Sequence, residues 1–162
     1  MGVTPEEFRV AMSQWASGVA VVTSRAGGRV HGMTVSAFNA VSLEPPLVLV
    51  CADKASDTQS VIAEAGVFAV NVLARGQAAL SQRFASKQYE ERRFEGLEVE
   101  TAETGAPLIP GALAALDCRV VAAHDAGDHV IYVGRVEFLR AGEGEPLLYF
   151  GGAYRVLGGG GR

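Results

Sequence analysis

About seven strand-like runs, with three short helical patterns among them and no regular strand–helix alternation, constrain this chain most. A parallel sheet needs a crossover of a dozen or more residues between strands, usually a helix. That alternation is missing, so the pattern predicts a mainly β fold. A closed or nearly closed antiparallel barrel with peripheral helices fits it best. At 162 residues there is room for one domain of ordinary size, and 49% apolar against 20% charged residues can fill its core. No internal repeat or long linker divides the chain, so residues 1–157 are expected to form a single domain. The glycine-rich tail at 158–162 is expected to be disordered.

The opening Thr4-Pro5-Glu6-Glu7 is a capping box with proline at the first helical position. Phe8, Met12 and Trp15 then recur at helical spacing, which predicts an amphipathic helix over 5–16, ended by Gly18, with its Met and Trp stripe in the core. A strand from Val19 and the turn at 26–29 lead into a second strand as a hairpin. Pro45-Pro46 separates two further strands, the second being the wholly apolar LVLVCA. Ser56 or Asp57 caps a short helix carrying Val61 and Ile62, and Gly66 stops it. VFAVNVL is another strand, and a helix over 77–85 sets Leu80 and Phe84 on one face. The charge-dense segment 89–95 reads as a solvated surface piece. LDCRVVAAH and HVIYVGRVEFLR are long strands joined through 125–128, and PLLYFGGAYRVL closes the fold.

Net charge of −4 and a pI near 5.4 argue against a phosphate-backbone footprint for nucleic acid. The N-terminus has neither a basic region nor an apolar run of signal-peptide type, and Glu6 breaks a myristoylation motif. The longest apolar run, 45–52, is far too short to span a bilayer. A cytoplasmic protein with no membrane partner is the expectation. Cys51 and Cys118 both sit in apolar strand runs and read as small core residues rather than a disulfide or metal site. His124, Asp125, Asp128 and His129 cluster at one hairpin tip, where a solvated polar turn outweighs a metal site. The Rossmann fingerprint, the Walker loop, the G-x-S-x-G elbow and paired-cysteine zinc spacing are all absent.

Two stretches remain. In HGMTVSAFNAVSLEPPLVLV the even positions carry Thr34, Ser36 and Ser42 around Phe38. The odd positions are Met33, Val35, Ala37, Val41 and Leu43, broken only by Asn39. An apolar odd face turned to the core and an even face of small hydroxyls describe a half-buried strand. The second stretch is Asp53-Lys54-Ala55-Ser56-Asp57-Thr58, which follows a buried strand and opens a helix. A helix start offers free N–H groups and partial positive charge, so it suits a phosphate, although a plain N-cap accounts for the same residues. Ser81 and Arg83 on the next helix can add donors.

SGVAVVTS, HGMTVSAFNAVSLEPPLVLVCADKASDT, VFAVNVL, SQRFAS and AGDHVIYVGRV, in this order, resemble the short-chain flavin reductases. These are the reductase components of two-component flavin-dependent monooxygenases, such as the 4-hydroxyphenylacetate and phenol hydroxylases. The resemblance runs from Phe8 to Leu157. It implies a split antiparallel β-barrel of the FMN-binding type, assembled as a homodimer with FMN or FAD near the interface. It also implies hydride transfer from NADH, or NADPH, and delivery of reduced flavin to a monooxygenase.

On this resemblance Thr34, Val35, Ser36 and Ala37 contact the flavin ring. Asp53, Lys54, Ser56 and Thr58 hold the ribityl chain and phosphate, and Ser81, Arg83 and Phe84 complete that wall. Ala55 departs from the family's second Ser. His129, in Gly127-Asp128-His129, meets the nicotinamide nucleotide, with Tyr154 near it. Hydride transfer needs two stacked rings and no protein nucleophile, which suits a chain with no triad or carboxylate pair. The alternative is a non-enzymatic flavin- or haem-binding split-barrel protein, in which the AGDH hairpin has no task. A pyridoxamine-phosphate-oxidase-like enzyme would want a denser basic pocket.

Overall fold

The computed structural model describes residues 2–158; of the expected tail, 159–162 lie outside the described residues. Seven strands form one antiparallel sheet in the order β3-β2-β6-β7-β8-β5-β4. They are β2 (Ala20–Ala26), β3 (Arg29–Val35), β4 (Phe38–Ser42), β5 (Leu47–Asp53), β6 (Val67–Val72), β7 (Ala114–Ala126) and β8 (His129–Ala141). β3 and β4 are consecutive in the chain yet stand at opposite edges. Met33 and Val35 of β3 and Phe38 of β4 nevertheless pack on one core group that includes Val22, Val50, Phe68, Val70 and Tyr132. The sheet is therefore curled around its own side chains. No ladder joins β3 to β4, so the barrel is split rather than closed. Register shifts between Asp117 and Cys118 and between Val120 and Ala122 bend the long β7–β8 ribbon.

β2 is buried on both faces, which is why AVVTSRA reads as an almost unbroken buried run. Ala20 and Val22 face the barrel interior, while Val19 and Val21 join Leu73, Phe84, Ile109 and Leu147 in a second core. The helices sit outside: α1 (Pro5–Met12), α2 (Asp57–Ala65) packed over β2 and β3, and α3 (Ala78–Ala85) packed on β3. α2 starts on the Ser56 cap and stops at Gly66, whose φ of 67° is the left-handed turn glycine tolerates. A buried polar cluster pins the loop between β6 and β7. Asn71 Oδ1 accepts the Ile109 N–H at 2.8 Å, and Thr23 Oγ1 donates to the Pro107 carbonyl at 2.5 Å.

Three expectations are corrected, and the closing run finds its place. α1 ends at Met12 with Ser13 as its cap, and Gly18 lies in the short strand β1 (Ser17–Gly18). Phe8, Met12 and Trp15 are not core: they are 58%, 51% and 76% exposed. Helical spacing marks a common face and says nothing of what covers it. The closing run does not join the barrel. β9 (Leu148–Phe150) and β10 (Ala153–Arg155) pair with β1 in a separate sheet of order β1-β9-β10. Finally, the segment 89–95 is not wholly solvated. Arg93 is only 6% exposed, and the Phe94 ring meets Phe84 edge-on at 5.1 Å. Arg93 can enter because the Gly32 and Ser86 carbonyls accept its guanidinium, at 2.8 and 3.2 Å.

Candidate active site

β3 alternates as its sequence requires until Val35. Met33 and Val35 turn to the core, and Thr34 turns toward α3, where its hydroxyl donates to the Ser81 carbonyl at 2.6 Å. At Ser36 and Ala37 the chain leaves the strand, and Phe38 N–H donates back to the Ser36 carbonyl at 3.0 Å. That turn shifts the phase by one residue. Phe38 enters the core instead of lying beside the hydroxyls, and Val41 and Leu43 turn outward, Leu43 to 93% exposure. A slip of one position is enough to exchange the two faces of a strand. The Ala37 carbonyl accepts the Cys51 N–H at 3.1 Å. Neither turn bond uses the N–H of Ser36 or Ala37.

Two clefts meet at this turn and share Val19, Val35 and Ser36. One, of about 260 Å³, runs past Trp15, Ser17, Gly18, Phe38 and Asn39. The other, of about 220 Å³, is bounded by Thr34, Ser81, Tyr149 and Tyr154. Each by itself falls below the ~300–1,000 Å³ of common ligand sites. In the smaller cleft Ser81 Oγ and the Tyr154 hydroxyl lie 2.7 Å apart, and the Tyr154 ring meets Tyr149 edge-on at 5.5 Å. The resemblance implies Ser81 on the phosphate wall and Tyr154 near His129, and the fold brings the two hydroxyls together. No hydrogen bond or ring contact joins Tyr154 to His129.

The phosphate-like corner is stitched to the β7–β8 hairpin tip. β5 ends at Asp53, directly across from His129 in the ladder. Lys54 N–H donates to the Asp128 carbonyl at 3.0 Å, and Lys54 Nζ pairs with Asp125 at 2.8 Å. Asp53 Oδ1 accepts the Ala55 N–H, and Ser56 Oγ caps α2 by accepting the Gln59 N–H at 3.1 Å. His129 Nδ1 lies 2.7 Å from Asp128 Oδ1, and this hydrogen bond holds the Asp128 carboxyl below its usual range. Among the described residues no group of three His, Cys, Asp or Glu side chains converges as a metal site. Burial pushes the Cys118 thiol up to about 12 and shifts that of Cys51 in the same direction, towards the neutral thiol.

Three members of the expected set take other surroundings. Arg83 does not reach the start of α2: its guanidinium donates to the carbonyls of Arg92 and Glu95. Phe84 is fully buried, and a Cβ at Gly32 would come within 2.8 Å of its ring, so it is a wall of the second core. Thr58 is fully buried, and its hydroxyl meets no partner. Sequence reading missed Arg93, hidden within a run of charges. It also missed Tyr149, whose place beside Tyr154 depends on the hairpin between β9 and β10.

A family model described as the flavin reductase like domain matches residues 12–158. The chain belongs to this flavin reductase family. An NADH-dependent flavin reductase from Rhodococcus is 42% identical over 158 residues, covering 96% of this chain and 88% of that one. The reductase component of 4-hydroxyphenylacetate 3-monooxygenase from Thermus thermophilus is also 42% identical, over 94% and 96% of the two chains. Among solved structures, the Streptomyces globisporus NADH:FAD oxidoreductase SgcE6, in complex with NAD and FAD fragments, superimposes with a TM-score of 0.89. It shares 34% identity over 98% of each chain. This family member has no helix, among its described residues, long and apolar enough to cross a membrane.

Proposed function

We propose that this chain oxidises NADH and reduces FMN or FAD, handing the reduced flavin to a partner monooxygenase. The observation that carries the reading is the groove at the Thr34–Ala37 turn. It combines small hydroxyls and backbone N–H groups that neither turn bond uses with a capped helix start on the same strand's other side: Ser56 Oγ reaches Met33 Sδ at 3.6 Å. A flavin needs these features, with amides and hydroxyls for its ring edge and a helix start for its phosphate. When bound, the flavin supplies the acceptor for the hydride of the reduced nicotinamide. The chain's own work is to position and to exclude water. Thr34 to Ala37 hold the ring, Asp53, Lys54 and Ser56 hold the phosphate end, and Ser81 with Tyr154 closes the smaller cleft. His129, cross-strand to Asp53, orients the nicotinamide nucleotide beside that corner, and no proton transfer is asked of it.

Turnover of NADH with added flavin tests the activity, and a pair of variants tests the geometry. His129→Ala is expected to raise the KM for NADH roughly threefold to tenfold, the worth of one orienting hydrogen bond, with flavin affinity unchanged. Ser56→Ala is expected to weaken flavin and to spare the NADH constant at saturating flavin. An unchanged NADH constant in His129→Ala removes His129 from the site.

The working form is proposed to be a homodimer. Phe8, Val10, Met12 and Trp15 in and after α1, and Val41 and Leu43 in and after β4, leave apolar side chains in water that a second copy would cover. Trp15 also borders the larger cleft, so dimerisation would complete that wall. Light scattering at micromolar concentration is expected to give twice the chain mass; a monomer that still binds flavin would overturn the assembly.

A further inference from the structure

Trp15 is the chain's single tryptophan, and it stands 76% exposed at the rim of the larger cleft. An aromatic ring of that size stabilises most when it is covered, so an indole left in water points to a contact the chain does not make with itself. It is not a loose end. α1 stops at Met12, and the Trp15 N–H donates to the Met12 carbonyl at 3.0 Å. Two residues earlier, the Ser13 carbonyl accepts the Gly151 N–H at 2.9 Å; two residues later, Ser17 pairs with Tyr149 in the β1–β9 ladder. Backbone bonds therefore hold the segment on both sides of the indole. The cleft runs past Gly18, where an added Cβ would meet nothing within 4 Å, and on to Ser36 and Asn39. Ser36 also lines the smaller cleft, so the turn assigned to the flavin ring opens toward Trp15. Phe38 lines the same cleft but packs on the barrel core, which leaves Trp15 to meet a ring.

We propose that Trp15 stacks on the flavin ring and selects its oxidation state, holding oxidised flavin more tightly than reduced flavin. The identity of the ring rests on the flavin-reductase reading; the stacking position rests on the fixed, uncovered indole. An indole is an electron-rich π system and favours a flat, electron-poor ring against its face. Oxidised isoalloxazine is such a ring. Once it has taken the hydride of the reduced nicotinamide it is electron-rich and bends about its central ring, so the same indole gains less from it. A contact that differs between two states shifts their balance by that difference and no more. Trp15 would therefore loosen the product as it forms, which suits a chain that gives its flavin to another protein. The second copy can still cover Phe8, Val10 and Met12 on α1, because the indole stands beyond the end of that helix.

The test titrates FMN and riboflavin, which share one ring, into the whole protein, first oxidised and then reduced with dithionite in the absence of oxygen. Trp15→Ala is expected to raise the Kd of both oxidised flavins by the same factor, roughly threefold to tenfold, and to leave that of reduced flavin within about twofold. Trp15→Phe, which keeps a smaller ring, is expected to retain part of the preference. Because the oxidised form loses more, the two-electron potential of bound flavin is expected to rise in Trp15→Ala by about 14–30 mV, the same fold-change converted at ~30 mV per factor of ten. Light scattering on each variant follows the assembly alongside. Equal weakening of oxidised and reduced flavin makes Trp15 an unselective wall and overturns the proposal, as does flavin binding untouched in Trp15→Ala. Affinity lost together with a fall from dimer to monomer mass also overturns it, by giving Trp15 to the contact between copies. A wild type that binds neither flavin sinks the flavin reading, and the proposal with it.

Discussion

Gly134→Ala is expected to lower the unfolding free energy by about 1–3 kcal/mol or more, the cost of forcing an extra carbon into a packed core. An added Cβ would stand 2.5 Å from Phe68 Cζ, 2.7 Å from Cε1 and 3.0 Å from Cys118 Cβ. None of these neighbours can give way easily. Phe68 and Cys118 are fully buried and sit opposite one another in the β6–β7 ladder, so both are fixed by backbone pairing as well as by packing. Gly134 lies mid-strand in β8, paired with Val48 on one side and Val120 on the other. A glycine there is disfavoured by strand propensity, and the close approach of the Phe68 ring is what makes it necessary. The check is a denaturation midpoint for Gly134→Ala beside the double variant with Phe68→Leu. Removing ring atoms frees the space the methyl needs, so the two changes together are expected to cost less than the sum of their separate losses. Additive losses would mean that the ring and the glycine do not meet.

The strands of the barrel were readable because each carries its own evidence. LVLVCA and VFAVNVL are apolar runs bounded by turn residues, and they emerge as β5 and β6. The Ser56 cap and the Gly66 stop delimit α2 within a residue. The unreadable parts depend on partners distant in the chain. Ser81 and Tyr154 meet across 73 positions, and nothing near either residue announces the other. Alternation through 31–43 failed at one turn, because a hydrogen bond from Phe38 to Ser36 resets the phase without altering the pattern of residue types. Arg93 was hidden by the opposite effect: a charged run reads as solvated unless carbonyls wait to receive it, and those carbonyls belong to Gly32 and Ser86. The stripe of Phe8, Met12 and Trp15 was seen, but its burial was assigned to this chain's own core.

The site can be built on this fold because its members are anchored to rigid elements. Lys54 and His129 share the β5–β8 junction, Thr34 is tied to α3, and Ser56 is fixed by the helix it caps. Positioning of this kind can bring two rings to the roughly 3–3.5 Å at which a hydride moves, and it leaves no step for a protein nucleophile. The dependence on flavin should therefore be absolute, the largest functional effect expected for this chain. The most direct measurement follows absorbance of the reduced nicotinamide with purified protein, with and without added FMN or FAD. Oxidation of NADH well above the blank on adding either flavin, and at the blank rate once flavin is stripped away, is the predicted result. NADH consumed at the blank rate with both flavins present would contradict the account.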